Sequence, residues 1–213
     1  VIELRKGPTP SWLQENQVAQ TKRYKLAPVD KKPSPWREKE IVLALKEESF
    51  KKCIYCEGII DDVSYSAVEH IKPKHVFEDL VLDWNNLGLV CQRCNTNKGV
   101  YWTDDKDLQL LNPYQDSLAE HIAFRGPLTV AYLHSSRANN TVKKLKLHLR
   151  EDLLLSRMRR IQELHVRLQL WHDEINMEKK EIFADDVRDA ISVDCEFSGV
   201  LRAYAAESGF PAE

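Results

Sequence analysis

Two pairs of cysteines constrain this chain more than any other feature: Cys53-Ile54-Tyr55-Cys56 and Cys91-Gln92-Arg93-Cys94. A Cys-x-x-Cys turn delivers two thiolates from one tight knuckle, and two such knuckles close a four-sulfur tetrahedral zinc site. The fold must therefore bring residues 53–56 and 91–94 together and loop residues 57–90 between them. An ion held by four sulfurs has no open position for water, so this zinc is structural. Five cysteines are an odd count, and two pairs at one spacing fit a reducing compartment better than a disulfide scaffold. Cys195, the cysteine left over, is expected to be a buried small hydrophobe.

Inside that loop lie a carboxylate, an imidazole and an amide, at Glu69, His70 and Asn86. Asn95 follows Cys94 directly, so the zinc knuckle fixes its direction. A histidine with an ordinary pKa is a competent general base near neutrality. The amide oxygen of Asn95 can complete a hard-cation site with the Glu69 carboxylate, leaving positions open for water and phosphate oxygens. Glu69 and His70 are neighbours on an expected strand and face opposite ways. That fits a division of labour between metal and water. Alone, a Glu-His pair is more often a surface feature; Asn95 is what turns the reading toward chemistry.

The expected architecture is α+β. Residues 1–34 carry Pro8, Pro10, Pro28 and Pro33 and are expected as an extended N-terminal arm, with room for a short helix over 11–22. Ser34-Pro35 suggests a helix start, and an apolar pattern continues it to about Glu48. Alternation predicts a strand over Val63–Ile71, stopped by Pro73. A short apolar stretch, Leu87–Val90, enters Cys91, and a short helix follows to about Val100. Residues 35–103 form the zinc-bound core. Residues 104–140 form a connector with a hairpin around Arg125-Gly126-Pro127. Residues 141–213 form a helical region, with one pattern from Thr141 to about Lys180 and another from Ala184 to Ala206.

The 213 residues are 43% hydrophobic and 30% charged, with a net charge of −2. No run approaches the ~18 apolar residues of a membrane span, and no signal peptide is visible, so a cytoplasmic protein without membrane contact is expected. Near-neutral charge argues against uniform nucleic-acid affinity. Yet nine Lys/Arg fall between Arg137 and Arg167, opposed by Glu151, Asp152 and Glu163 alone, before acids dominate from Asp173. Such a block is either a phosphate-binding patch or a solvated helix face.

Taken together, these motifs resemble the HNH endonucleases. Members of that family run, roughly, C-x2-C, then D/E-H-I-x-P, then N-L-x3-C-x2-C-H/N-x2-K-G. The chain has Cys53 and Cys56, Glu69-His70-Ile71-Lys72-Pro73, Asn86-Leu87, Cys91 and Cys94, Asn95, and Lys98-Gly99. The resemblance implies a ββα-metal fold and phosphodiester hydrolysis. It makes His70 the base that activates water, and Glu69 with Asn95 the ligands of one catalytic divalent ion, Mg²⁺ first, with Mn²⁺ or another divalent ion open. It implies that Asn86 braces the loop. Lys98, with Lys72 and Lys74, would contact nucleic acid. The family more often has Asp before the base and His at the end, which bears on metal preference. His75 has no assigned role.

A narrower resemblance covers Glu-His-Ile-Lys-Pro-Lys, Trp84-Asn85-Asn86-Leu87, the Arg5-Lys6-Gly7-Pro8 start and the helical tail. It is to the HNH subunit of Septu-type anti-phage systems, some linked to retrons, and implies an ABC/RecN-like ATPase partner. DNA is the default substrate; RNA, tRNA included, stays open, because such a site addresses a phosphate rather than a base. The alternative is a catalytically silent zinc module that binds nucleic acid or protein. A transcription regulator is disfavoured by the lack of an obvious recognition helix.

Overall fold

The computed structural model describes residues 3–60 and 66–211. Around the cysteines the chain builds strand β1 (Ser66–His70), strand β2 (Leu87–Cys91) and helix α3 (Gln92–Lys98). The strands are antiparallel, with Glu69 opposite Gly88 and His70 opposite Leu87. The expected strand began at Val63; residues 63–65 lie outside the described residues. Gly88 lies close against Ile54, whose terminal Cδ1 would stand 2.6 Å from a Cβ added there and would have to shift. The glycine lets the first knuckle lie on β2, where Ile54 N donates to Leu89 O at 3.0 Å.

The first knuckle is a loop tightened by left-handed residues. Phe50, Lys51 and Glu57 all have positive φ, and Cys53 N donates to Gly58 O at 2.9 Å. In the second, Cys91 caps α3, its sulfur accepting from Cys94 N at 3.4 Å. Helix α3 ends at Gly99, whose φ of 54° suits a residue without Cβ.

The segment expected as an extended arm is mostly helix. Helix α1 spans Ser11–Leu26 and buries Leu13 and Tyr24. Pro10 precedes it, where a proline costs no hydrogen bond. It is held by Trp12 N donating to Glu40 Oε2 at 3.0 Å and by Lys25 on Asp79. The helix expected from Ser34 is split. Pro35–Arg37 is a 3-10 turn, Glu38 is extended (φ −55°, ψ 138°), and α2 runs Lys39–Glu48.

The connector contains the expected hairpin, β3 (Ile122–Arg125) with β4 (Leu128–Ala131), turning at Gly126. Four helices follow: α4 (Ser136–Lys144), α5 (Glu151–Asp173), α6 (Met177–Ala190) and α7 (Ser198–Glu207). The pattern read as continuous from Thr141 to Lys180 is thus broken twice. Lys146 is left-handed, and Asn176 restarts a helix by accepting from Lys179 N at 3.0 Å. The pattern over 184–206 is broken at Phe197, also left-handed.

The buried stripe of α5 is Leu153, Arg157, Ile161, Leu164 and Leu168. An arginine stands in it, while its apolar neighbour Met158 is 41% exposed. Arg157 survives burial because both of its terminal nitrogens are met, while Nε has no partner among the described residues. Nη1 bonds Pro127 O at 3.0 Å and Thr129 Oγ1 at 2.8 Å, and Nη2 reaches Cys56 O at 3.3 Å. Phe124 and Phe197 lie under its guanidinium at 5.6 and 5.7 Å. Lys52, also buried, donates to Cys195 O at 2.9 Å, Ser198 Oγ at 3.1 Å and Val193 O. These contacts tie the first knuckle to α5 and to the α6–α7 loop. One hydrophobic core runs from Leu4 to Phe210. Among the described residues no helix is long and apolar enough to cross a membrane.

The basic block does not form a phosphate-binding face as a unit. Arg137 grips Asp116 with both Nη atoms at 2.7 Å, Arg157 is in the core, Arg160 pairs with Glu163 at 2.5 Å, and Arg167 bonds Asp186 O at 3.1 Å. Cys195 is half-buried rather than buried, its thiol donating to Asp189 O at 3.2 Å.

Candidate active site

The four cysteines converge. Their sulfurs all lie within 4.8 Å of one another, with Cys56 and Cys91 at 3.8 Å. Tetrahedral zinc with Zn–S bonds of ~2.3 Å implies sulfur spacings of ~3.8 Å, so the cluster fits the ion. Burial pushes the Cys53 thiol well up, while hydrogen bonds from Cys53, Cys56 and Cys94 hold Cys91 far below the usual thiol range. Arg150 Nη1 sits 3.3 Å from Cys94 Sγ and faces the negative charge that four thiolates would carry. Cys195 lies outside the cluster.

Next to this frame the end of β1 presents Glu69 and His70, both buried. His70 Nε2 lies 3.0 Å from Val81 O. A carbonyl can only accept, so Nε2 carries the proton and Nδ1 keeps its lone pair. Trp36 packs edge-on to the imidazole, centroids 4.9 Å apart and planes at 89°. Burial first, then the nearby Lys74 charge, lowers the His70 pKa to about 3. The ring is therefore neutral at physiological pH.

Glu69 faces α3. Lys98 Nζ stands 2.6 Å from its Oε1 and donates to His70 O at 3.0 Å. Both side chains are buried, Lys98 at 2% and Glu69 at 3% exposure. Lys98, expected as a nucleic-acid contact, thus faces inward and clamps the strand end that carries both acidic and basic residues. Burial pushes the Glu69 carboxyl up, and Lys98, then Lys74, pull it back. Asn95, on α3, is half-buried, and its amide makes no hydrogen bond among the described residues.

Asn86 fastens the loop after β1. Its Oδ1 accepts from Lys72 N at 2.7 Å, and its Nδ2 donates to Lys72 O and Leu80 O, both at 3.1 Å. Lys72 is exposed, with Nζ within 5.7 Å of Phe77 and 5.4 Å of Trp102. Lys74 is half-buried over Trp36 at 4.9 Å. His75 is exposed.

The sequence motifs miss the residues that support this arrangement from afar. Lys6 Nζ bonds Leu87 O at 2.9 Å and Glu48 at 2.8 Å, above the Trp84 and Tyr114 rings at 3.8 and 4.5 Å. Tyr114 OH donates to the same Glu48 oxygen at 2.6 Å. Leu87 is the partner of His70 across the sheet, so this cage buttresses the strand beside the imidazole. Trp36 and Arg150 carry no local signature that would have marked them.

Comparison with known proteins agrees with this geometry. Residues 53–100 match the family described as HNH endonuclease. A protein named Septu protein PtuB from Bacillus thuringiensis is 33% identical over 153 residues, covering 67% of this chain and 57% of that protein. A second protein of the same name, from Bacillus mycoides (strain KBAB4), is 28% identical over 145 residues, covering 54% of this chain and 49% of that one. The chain spans about half the length of these curated relatives.

Proposed function

We propose that this chain is a metal-dependent endonuclease and the nuclease subunit of an anti-phage complex of the Septu kind, acting with an ATPase of the ABC/RecN-like class. The observation that carries the nuclease reading is the Val81 O bond to His70 Nε2. It fixes the tautomer and leaves Nδ1 as the basic nitrogen. Lowered to about 3, this imidazole is by itself a weak base. An arriving phosphodiester brings negative charge beside Lys74, which offsets part of the depression and raises its basicity. Trp36 on one side and the Val81 bond on the other then hold Nδ1 toward the water it deprotonates.

Glu69 and Asn95 are the residues that would hold a divalent ion, Mg²⁺ first. Their donors, a carboxylate oxygen and an amide oxygen, suit a hard cation; the Asn95 amide has no hydrogen-bonding partner among the described residues, and the Lys98 ammonium would have to give way on Glu69. Bound there, the ion would supply charge neutralisation to the phosphate oxygens. Lys98 competes for the same carboxylate and keeps it in place until then. Asn86 holds the loop that presents Lys72 and Lys74 to the substrate backbone, which is DNA in the default case. The near-neutral charge and the internally paired arginines support a shared groove, with the partner supplying part of the phosphate contacts.

The experiment is Mg²⁺-dependent cleavage of nucleic acid by the purified complex and by its His70→Ala variant. Loss of cutting with zinc content and circular dichroism unchanged is the expected result; undiminished cutting by the variant would overturn the assignment. The closed Lys98–Glu69 pair favours a second reading, a silent zinc module that binds nucleic acid or protein. That reading predicts no Mg²⁺-dependent cleavage by the wild-type complex.

A further inference from the structure

Two aromatic side chains beside the loop that follows β1 are not explained by packing. Phe77 and Trp102 are each only partly buried, and neither belongs to the hydrophobic core nor packs against it. They meet edge to face, with centroids 5.2 Å apart and planes at 79°. Exposed Lys72 completes the group, its ammonium within cation–π reach of both rings.

Their place in the chain ties them to the site. Lys72 lies two residues beyond His70, and its backbone is fixed on both sides by Asn86. Phe77 N is bonded to Pro73 O at 3.0 Å in the same loop. Trp102 lies four residues beyond Lys98, the residue clamped to Glu69 and His70 O. Lys72 and Phe77 thus lie in the loop leaving the strand end that carries the imidazole, and Trp102 meets them there.

We propose that Phe77, Trp102 and Lys72 form a stacking site for an unpaired nucleotide adjoining the phosphodiester that His70 addresses. The proposal rests on the nuclease reading and deepens it by naming the substrate class: a single strand, or a duplex locally opened, rather than intact duplex. Base–aromatic stacking is worth ~1–3 kcal/mol per base, whereas an exposed ammonium over a ring is worth ~0.5–1 kcal/mol. A base therefore displaces the Lys72 ammonium from the ring faces. The ammonium, on a long flexible stem, is then free to pair with that nucleotide's phosphate. An edge-to-face pair cannot slot between the stacked bases of a duplex without opening it, which selects unpaired nucleotides.

The test measures binding separately from cutting. Zinc-loaded chain carrying His70→Ala is titrated with fluorescein-labelled 12-nucleotide single strands, dT12 and U12, and with a 12-base-pair duplex. Trp102→Leu and Phe77→Leu are each expected to weaken single-strand binding by about 5-fold or more, the lower end of the stacking range, and to leave duplex binding unchanged. Trp102→Phe retains a ring and is expected to keep most of the affinity. That separates stacking from a folding defect. Which strand shows the Trp102 dependence identifies DNA or RNA as the source. Equal single-strand affinity with and without Trp102, or no single-strand binding by the parent, overturns the proposal. Mg²⁺-dependent cleavage by the wild-type complex is scored in parallel. His70-dependent cutting with Trp102-independent binding removes the stacking site alone. Trp102-dependent binding without cutting removes the nuclease reading and keeps the site.

Discussion

The Lys98→Met substitution separates two roles for one residue. Lys98 and Glu69 are both almost fully buried and 2.6 Å apart. Removing the ammonium leaves a carboxylate out of water with its main counter-charge gone, which costs ~3–5 kcal/mol against a total stability of ~5–15 kcal/mol. With a urea m value of about 2 kcal/mol/M, the unfolding midpoint should fall by about 1.5–2.5 M in saturating zinc at pH 7.5. Glu69→Met added to Lys98→Met should recover most of that loss, because a buried pair replaced by hydrophobes of similar size is close to neutral. Burial already raises the Glu69 carboxyl, and loss of Lys98 raises it further. A carboxyl raised in the folded state contributes stability that is whole below its unfolded value of ~4.3 and lost as pH rises through the folded value. The single variant's deficit should therefore widen from pH 5.5 to pH 8. A midpoint loss below about 0.5 M, the scale of an exposed ion pair, would refute the clamp and return Lys98 to a surface phosphate contact. That older role would appear instead as a reduced salt dependence of binding.

Three further outcomes are expected. Asn86→Ala removes three hydrogen bonds at a buried site, a loss of ~2–4 kcal/mol measurable by thermal unfolding, with proteolytic sensitivity rising in residues 71–80. His70 is lowered to about 3, and a depressed histidine costs stability as pH falls from its unfolded value near 6.5. The His70→Asn variant should therefore lose less stability than the wild type between pH 6.5 and 5, and NMR should show no His70 titration above pH 5. Cys94→Ser should lower zinc stoichiometry and abolish cutting; full activity without zinc would contradict the view that the cluster positions α3.

What could be foreseen from the sequence was local. The knuckles, the β1–β2–α3 order and the hairpin at Gly126 each depend on neighbours within a few residues, and each left a signature there. Cys94 next to Asn95 is such a case, since one turn sets both. The helix breaks at Lys146 and Phe197 left none, because a left-handed lysine or phenylalanine is imposed by packing. Arg157 was counted as surface charge, yet its partners are the backbone carbonyls of Pro127 and Cys56 and the hydroxyl of Thr129. Backbone acceptors are present at every position and carry no sequence signal. Lys98 was hidden in the same way: its motif position was plain, while its inward direction depended on how α3 lies against β1.

The long-range ties of the first knuckle also set an order of events during synthesis. Lys52 finds its acceptors near Cys195, and Arg157 reaches back to Cys56 O. A nascent chain that has emerged only to residue 150 holds both cysteine pairs and the His70 strand. It still lacks the arginine beneath the knuckle and the loop that receives Lys52. Contacts across such separations pay their loop-closure entropy before they return any stability. The first cysteine knuckle and the strand beside it are therefore among the last parts to set, after translation has delivered the helices farthest from them in sequence.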